Sequence, residues 1–486
     1  MDGEIKNKAF KGVAWSSLEQ FVTQIVQFII GIVLARLLLP QDYGLVGMLS
    51  IFLGISALFI NSGFSQALIQ QKDKSPEDYN TVFTFNVGVA LTMYLILFIC
   101  APYIAHFYSQ PKLTAITRVY SLNLIISSLA SVQSTILSIR LNFEALSKVS
   151  IISLIISGIT GITLAYLGWG VWALVYQGIV AASINAITLF ALCRWIPSFS
   201  FSTKSFKNLF SFGSKLLGSS LINTIYENIN SFVIGKAFNA SELGYYNRAQ
   251  GFSSIPPGII TSIIIKVNYP ILVKYQDDHE KLISTYSSLL RVPLFILYPI
   301  MFGLAVLAVP FIVTLVGEKW LPAAYLLPIL CFTGLWSPLT HINLNLLYVK
   351  GRSDLVLKLE FIKKPIAFAL LFASIPLGIK GICGSVALYS FIAFSFNCYY
   401  TGKILNYGFW KQIKEILPFF GYSVVMALGV WVVTLPFSNN LVKLAVGIPT
   451  GIVTYYAIAR IFSDKTLTSL INLIISRLPA LQSVLK

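Results

Sequence analysis

Long apolar runs recur along the whole chain, separated by short polar joints. A membrane-crossing helix needs about 20 predominantly apolar residues, and by that measure the pattern predicts about 14 spans. They fall near 13–39, 44–70, 80–105, 114–138, 149–167, 170–193, 210–235, 244–272, 292–317, 322–349, 355–377, 380–402, 415–436 and 441–462. A transmembrane β-barrel would instead show short segments of alternating polarity. The fold class is therefore an all-α polytopic membrane protein. The first run carries Glu19, Gln20, Gln24 and Gln27 and lacks a small-residue cleavage site, so it reads as a retained span and not as a signal peptide.

Composition agrees, and charge adds orientation. Of 486 residues, 56% are hydrophobic and 11% charged, with a mean hydropathy of +0.78; soluble domains carry about 25% charged residues. A net charge of +17 could suit a nucleic-acid partner, but the basic residues sort by loop. Lys6, Lys8, Lys72, Lys74, Arg140, Lys148, Lys204, Lys207, Lys274, Lys350, Arg352, Lys411 and Arg460 lie in alternate connections, and few, such as Lys112, Lys236, Lys319, Lys380 and Lys443, lie in the others. Cytoplasmic loops collect Lys and Arg, which places both termini in the cytoplasm. The charge encodes topology, and no nucleic-acid partner is expected. Cys100, Cys193, Cys331, Cys383 and Cys398 lie within or beside apolar runs without a Cys-x-x-Cys spacing. Neither a disulfide framework nor a metal site is indicated.

An internal repeat organises the chain. VLARLLLPQDYG (33–44) recurs as VIGKAFNASELG (233–244), so that Arg36 pairs with Lys236, Asp42 with Glu242 and Gly44 with Gly244 at one constant offset. Upstream, Gln20, Thr23 and Gln27 match Ser220, Asn223 and Glu227, and steps of three or four put each set on one helix face. Spans 1 to 6 and 7 to 12 are thus read as two six-helix lobes, residues 1–200 and 201–405. Both enter the membrane in the same direction, which implies a pseudo-twofold axis along the membrane normal and a substrate site near the midplane between the repeats. Residues 406–486 hold an accessory, lipid-facing pair of spans and a cytoplasmic amphipathic tail, TLTSLINLIISRL (466–478). KLISTYSSLLRV (281–292) reads as a second surface-lying segment.

Charged and amide side chains inside such spans must face protein or water. Glu19, Gln27, Asn223 and Glu227 are therefore assigned to a substrate chamber. For Glu227 a structural pair with Lys215 or Lys266 is an equally good reading, and the two are compatible. Lys215, Arg248 and Lys266 are the chamber's best basic candidates, and an excess of cations there suits an anionic substrate. Arg36, Arg118 and Arg291 stand at span ends, where long basic chains usually snorkel to the interface. Prolines cluster after residue 200, and Pro256, Pro257, Pro293, Pro299 and Pro310 predict bends in spans 8 and 9. His341, with Asn343 and Asn345, reads either as a relay or, more simply, as a histidine bonded to a neighbouring helix. No phosphate loop, metalloprotease motif, nucleophile elbow or dinucleotide fingerprint is present in the sequence, so ATP-driven pumps and the corresponding enzymes are disfavoured.

Several stretches together resemble a known family. LARLLLPQDYGLVG (34–47), FYSQPKL (107–113), LGWGVWALV (167–175), LFSFGSKL (209–216), ELGYYNRAQ (242–250) and VKGRSDL (349–355) are similar to the Wzx-type polysaccharide-transport branch of the multidrug/oligosaccharidyl-lipid/polysaccharide exporter superfamily. The resemblance covers spans 1 to 12. It implies a cofactor-free, 14-helix, two-lobed carrier and not an enzyme. The implied function is to flip a polyprenyl-pyrophosphate-linked oligosaccharide across the bacterial inner membrane by alternating access, for surface polysaccharide export. Implied partners are that lipid, the bilayer, a coupling proton or sodium ion, and polysaccharide polymerisation machinery; the protein is expected to act as a monomer. Spans 1, 2, 7 and 8 would line the chamber, with Arg140 and Arg352 at its cytoplasmic mouth. Span 1 lacks the cytoplasmic-side arginine of peptidoglycan-precursor flippases, which argues against that substrate. Protonation of Glu227, and of Glu19, is the expected coupling device. The alternatives are a cation-coupled drug antiporter using Glu19, and a membrane-embedded glycan-processing enzyme.

Overall fold

The computed structural model describes residues 2–61 and 63–477; the side chains of 2–14, 16–18, 212, 215, 216, 219, 266–270 and 472–477 lie outside the described part. Among the described residues every regular element is helical. A helix or an interrupted helix occupies each predicted span. Among the described residues, eleven stretches are long and apolar enough to cross a membrane, one of which, Ser353–Leu405, contains two successive helices. The helices Thr203–Ala237 and Ala240–Lys274 are 35 residues each. At about 1.5 Å per residue they are long enough to cross.

Contacts divide the chain into two compact units, Met1–Asn247 and Arg248–Lys486. The first holds α1 (Asp2–Leu37), α2 (Pro40–Met48), α3 (Ser50–Asn61), α4 (Phe64–Gln70), α5 (Pro76–Phe107), α6 (Lys112–Tyr120), α7 (Leu122–Ile139), α8 (Phe143–Tyr166), α9 (Val171–Cys193), α10 (Thr203–Ala237) and the start of α11 (Ala240–Lys274). Local chemistry sets the helix starts. Ser75 caps α5 reciprocally with Asp78, and Pro76 occupies the first turn, where its missing N–H costs nothing. The α8–α9 connection turns at Gly168 and Gly170, whose φ of +80° and +53° favour glycine. Before α10 the chain runs alongside α5, where Asn80 Oδ1 and Thr81 Oγ1 accept from the backbone N–H groups of Ser198 and Ser202. Phe64, Phe83, Val149 and Leu189 form the core of this unit. α10 packs onto α3 partly through rings, with Phe232 6.3 Å from Phe52 and stacked on Phe107 of α5 at 5.4 Å.

The second unit holds the rest of α11, then α12 (His279–Val306), α13 (Ala308–Val316), α14 (Leu321–Val349), α15 (Ser353–Ser374), α16 (Gly378–Leu405), α17 (Phe409–Thr434), α18 (Asn440–Ile461) and α19 (Lys465–Arg477). Residues 281–292 do not form a separate surface helix. They are the first turns of α12, and Leu282, Tyr286 and Leu290 are fully buried there. α11 and α12 also run on through Pro256, Pro257, Pro293 and Pro299; the interruption falls at Leu307, ahead of Pro310. Proline is tolerated inside membrane helices where neighbouring helices re-satisfy the freed carbonyls. Large apolar side chains face outward on α17 and α18, including Leu428, Val432, Ile452 and Val453, as contact with lipid requires.

Candidate functional site

The two repeat segments meet within the first unit. Leu39 N–H donates to Asp42 Oδ2 at 2.9 Å, fixing the start of α2. Glu242 N–H donates to Asn239 Oδ1 at 2.9 Å and fixes the start of α11. The two helix starts then pack backbone to backbone. A methyl group on Gly44 would overlap the carbonyl of Ala240, and one on Gly244 would overlap the carbonyl of Pro40. Positions 40 and 240, like 44 and 244, are repeat partners, so the contact is reciprocal. Gly47 faces its own repeat partner in the same way, against the amide of Asn247. Leu45, Met48, Leu243 and Tyr246 are buried around this crossing. The repeat was visible as residue identities; that its glycines touch one another needed the fold.

Nearby, Lys236 Nζ donates to the Phe107 carbonyl at 2.6 Å and stands 4.5 Å from the centre of the Phe107 ring. A cavity of about 820 Å³ opens beside it, lined by Tyr103, His106, Phe107, Ser109, Gln110 and Lys236 among others. Arg36, the repeat partner of Lys236, is exposed at the end of α1.

The polar stripes lie on accessible faces. Gln27 on α1 and Asn223 and Glu227 on α10 are exposed, and Glu19 is half-buried. An ionised side chain on a helix of membrane length must meet water or protein, not hydrocarbon. Among the described residues no basic group lies within ion-pair distance of Glu227. The side chains of Lys215 and Lys266, its two expected partners, lie outside the described part.

The arginines take distinct places. Arg118 lies 4.4 Å from the centre of the Phe98 ring and its Nε donates to the Phe98 carbonyl, tying α6 to α5. Arg140 ends α7 and is exposed. Arg352 precedes α15 and grips Asp354 with two hydrogen bonds of 2.9 Å, a local clamp. Arg248 stands over the buried ring of Trp320 at 5.2 Å and near Phe252 at 5.7 Å, an arrangement in which the guanidinium gains from the ring's negative face.

Arg291 does not snorkel freely. It reaches Glu415 of α17 at 3.3 Å, Asp464 at 3.6 Å and Thr466 of α19 at 3.2 Å. Glu415 also accepts from Ser287 at 2.8 Å and from Tyr407 at 2.6 Å. Burial, with Glu415 beside it, pushes the Tyr407 phenol above its ordinary range, so it remains a donor at neutral pH. This cluster fastens the C-terminal amphipathic helix to the second unit. Arg291→Met keeps the stem and strands two partly buried carboxylates. With allowance for their partial exposure the expected cost is about 2 kcal/mol. Trypsin should then cut at Lys465 roughly thirtyfold faster than in wild type, as followed by mass spectrometry; an unchanged rate would mean that α19 is held by its apolar face alone.

Sequence reasoning missed two features of the second unit. Asn343 of α14 is a fully buried hub. Its Oδ1 accepts from Tyr286 of α12 at 3.0 Å, Thr401 of α16 at 2.6 Å and Gln412 of α17 at 3.0 Å, while its Nδ2 donates to Gln412 Oε1 and to the Leu339 carbonyl. The neighbouring His341 takes no part in those bonds. α17 was expected to be an accessory helix with few polar ties, but its first turns are wired into the unit through Gln412 and Glu415. The second feature is a buried lysine, Lys363 of α15, paired with Glu360 at 2.7 Å. The i, i+3 spacing of opposite charges in an apolar span was the available signal.

Comparison with known proteins places the chain. A profile described as polysaccharide biosynthesis protein matches residues 33–325, more than half of its length. The chain is 26% identical over 459 residues to the teichuronic acid biosynthesis protein TuaB of Bacillus subtilis (strain 168), covering 93% of this chain and 95% of that one. It is 30% identical over 342 residues to the succinoglycan biosynthesis transport protein ExoT of Rhizobium meliloti (strain 1021), covering 70% and 69%. Among solved structures it is similar to the lipid II flippase MurJ in an inward closed conformation, with a TM-score of 0.72 at 17% identity over 93% of this chain and 98% of that one; at that identity the likeness speaks for the fold. The expected family is thereby confirmed: the chain belongs to the polysaccharide biosynthesis protein family of multi-helix membrane proteins.

Proposed function

We propose that the protein is a carrier, not an enzyme, that moves a polyprenyl-pyrophosphate-linked oligosaccharide from the cytoplasmic to the outer leaflet of the bacterial inner membrane. Family membership and the transport relative ExoT support this class. The observation that carries the reading is the accessible polar face of α10, with Asn223 and Glu227 exposed on a helix of membrane length. The physical task of such a carrier is to shield a pyrophosphate and several sugars from hydrocarbon, where each unsatisfied polar group costs several kcal/mol. Exposed amides and carboxylates supply that shield while the polyprenyl tail stays in lipid.

In this reading Gln27, Asn223 and Glu227 of the first unit meet the sugars. The charge pattern puts both termini in the cytoplasm and the contact of α2 with α11 at the outer end. That contact must part for the glycan to leave. Glu227→Gln is expected to slow wild-type-level export about tenfold by weakening sugar recognition. The test is accumulation of the lipid-linked intermediate in cells carrying only the variant; full export with no accumulation would remove Glu227 from the substrate face.

A further inference from the structure

Lys363 is buried in a membrane-spanning helix, 3% exposed. It lies midway along α15, about 15 Å from that helix's first residue, within a stretch long and apolar enough to cross a membrane. Ionisable residues at such depth are costly and mark ion or proton pathways. The ammonium meets Glu360 at 2.7 Å and donates to Asn397 Oδ1 of α16 at 3.2 Å. Glu360 is the accessible member of the pair, its side chain 33% exposed, and its second oxygen lies 3.8 Å from Lys364. Asn397 is fully buried, and among the described residues its Nδ2 has no acceptor.

The helices packed against α15 are α14 and α16. They carry no carboxylate, and apart from tyrosines and cysteines their ionisable groups are His341, Lys380 and Lys403. Pro365, two residues after Lys363, leaves the Phe361 carbonyl without its helical donor, so α15 has a point of bending beside the charges.

We propose that Glu360 and Lys363 form a proton-binding site that couples transfer to the proton gradient; this rests on the flippase reading above. With both groups ionised, the pair is neutral as a unit and holds α15 to α16 through Asn397. When the Glu360 carboxylate takes a proton from the outer side, Lys363 keeps its charge but loses its counter-charge. A buried cation without a counter-charge is strongly unfavourable, so Lys363 must shift toward water and α15 with it. Release of that proton to the cytoplasm restores the pair and completes an exchange of one proton for one lipid-linked glycan.

The test uses full-length protein in proteoliposomes with a polyprenyl-pyrophosphate-linked trisaccharide as the probe, its leaflet distribution read by glycosidase protection. One exchanged proton biases that distribution about tenfold per unit of pH difference. Wild type should show this bias. Glu360→Gln and Lys363→Gln should bring the ratio to about one while still equilibrating the probe without a gradient. The double variant removes both members of the pair and checks folding; it should equilibrate the probe without bias. A tenfold bias retained by Glu360→Gln, a bias that follows sodium and not protons, or equal slowing of both single variants with and without the gradient would each overturn the proposal. A wild type that equilibrates the probe but ignores every gradient overturns the coupling site alone, whereas a wild type that moves no probe overturns the flippase reading.

Discussion

Alanine at Gly44 or Gly244 destabilises the protein by about 3 kcal/mol, the upper end of what overpacking costs, because the group in the way is a backbone carbonyl and cannot rotate aside. Each methyl would overlap the repeat partner's helix start, Ala240 or Pro40. The reciprocal arrangement adds a sharper expectation. Once one alanine has pushed α2 and α11 apart, the second meets less resistance, so the double variant should cost clearly less than the sum. Gly88→Ala, at a helical site with nothing within 4 Å of the added methyl, is the control and should be neutral or slightly stabilising. Thermal unfolding of the purified variants measures all four. Additive losses would mean that the two glycines act independently and that the reciprocal contact is not one structural unit.

Replacing Asn343 by leucine should cost about 4 kcal/mol. The substitution strands the Tyr286 hydroxyl, the Thr401 hydroxyl and the Gln412 amide in a fully buried place, and each stranded donor costs about 1–3 kcal/mol. Thr401 can fall back on the Asn397 carbonyl and Gln412 on that of Tyr407, which is why the total stays below the simple sum. Asn343→Leu with Gln412→Leu removes both halves of the amide pair and should be less destabilised than the two single variants added together. The readout is the midpoint of denaturant unfolding. A loss under about 1 kcal/mol would show that water replaces the hub and that α17 is held by apolar packing.

The architecture was legible because lipid imposes a coarse rule: a run of about 20 apolar residues has few alternatives to a spanning helix. The repeat was legible because Arg36 and Lys236, Asp42 and Glu242, and Gly44 and Gly244 share one offset. Its meaning was not, since a sequence match does not say whether two copies touch. The segment at 281–292 misled because an amphipathic period is the same whether the polar face meets a membrane surface or the apolar face meets a core; Leu282 and Tyr286 find a core. Lys363 and Asn343 were hidden for a different reason. A charge inside an apolar run looks like a chain joint until Glu360 and Asn397 are seen around it, and an amide hub is defined by donors on three other helices. His341 drew attention through its chemistry, but the neighbouring Asn343 holds the bonds.

The central claim is that an intact lipid-linked glycan crosses the membrane. It is tested most directly by reconstituting the protein with a polyprenyl-pyrophosphate-linked oligosaccharide confined to one leaflet and following both its exposure to glycosidase and its mass. The account predicts protein-dependent appearance in the opposite leaflet with the mass unchanged. Absence of transfer across a panel of lipid-linked glycans, with export of cationic drugs instead, would contradict it, as would recovery of the probe as a new covalent product.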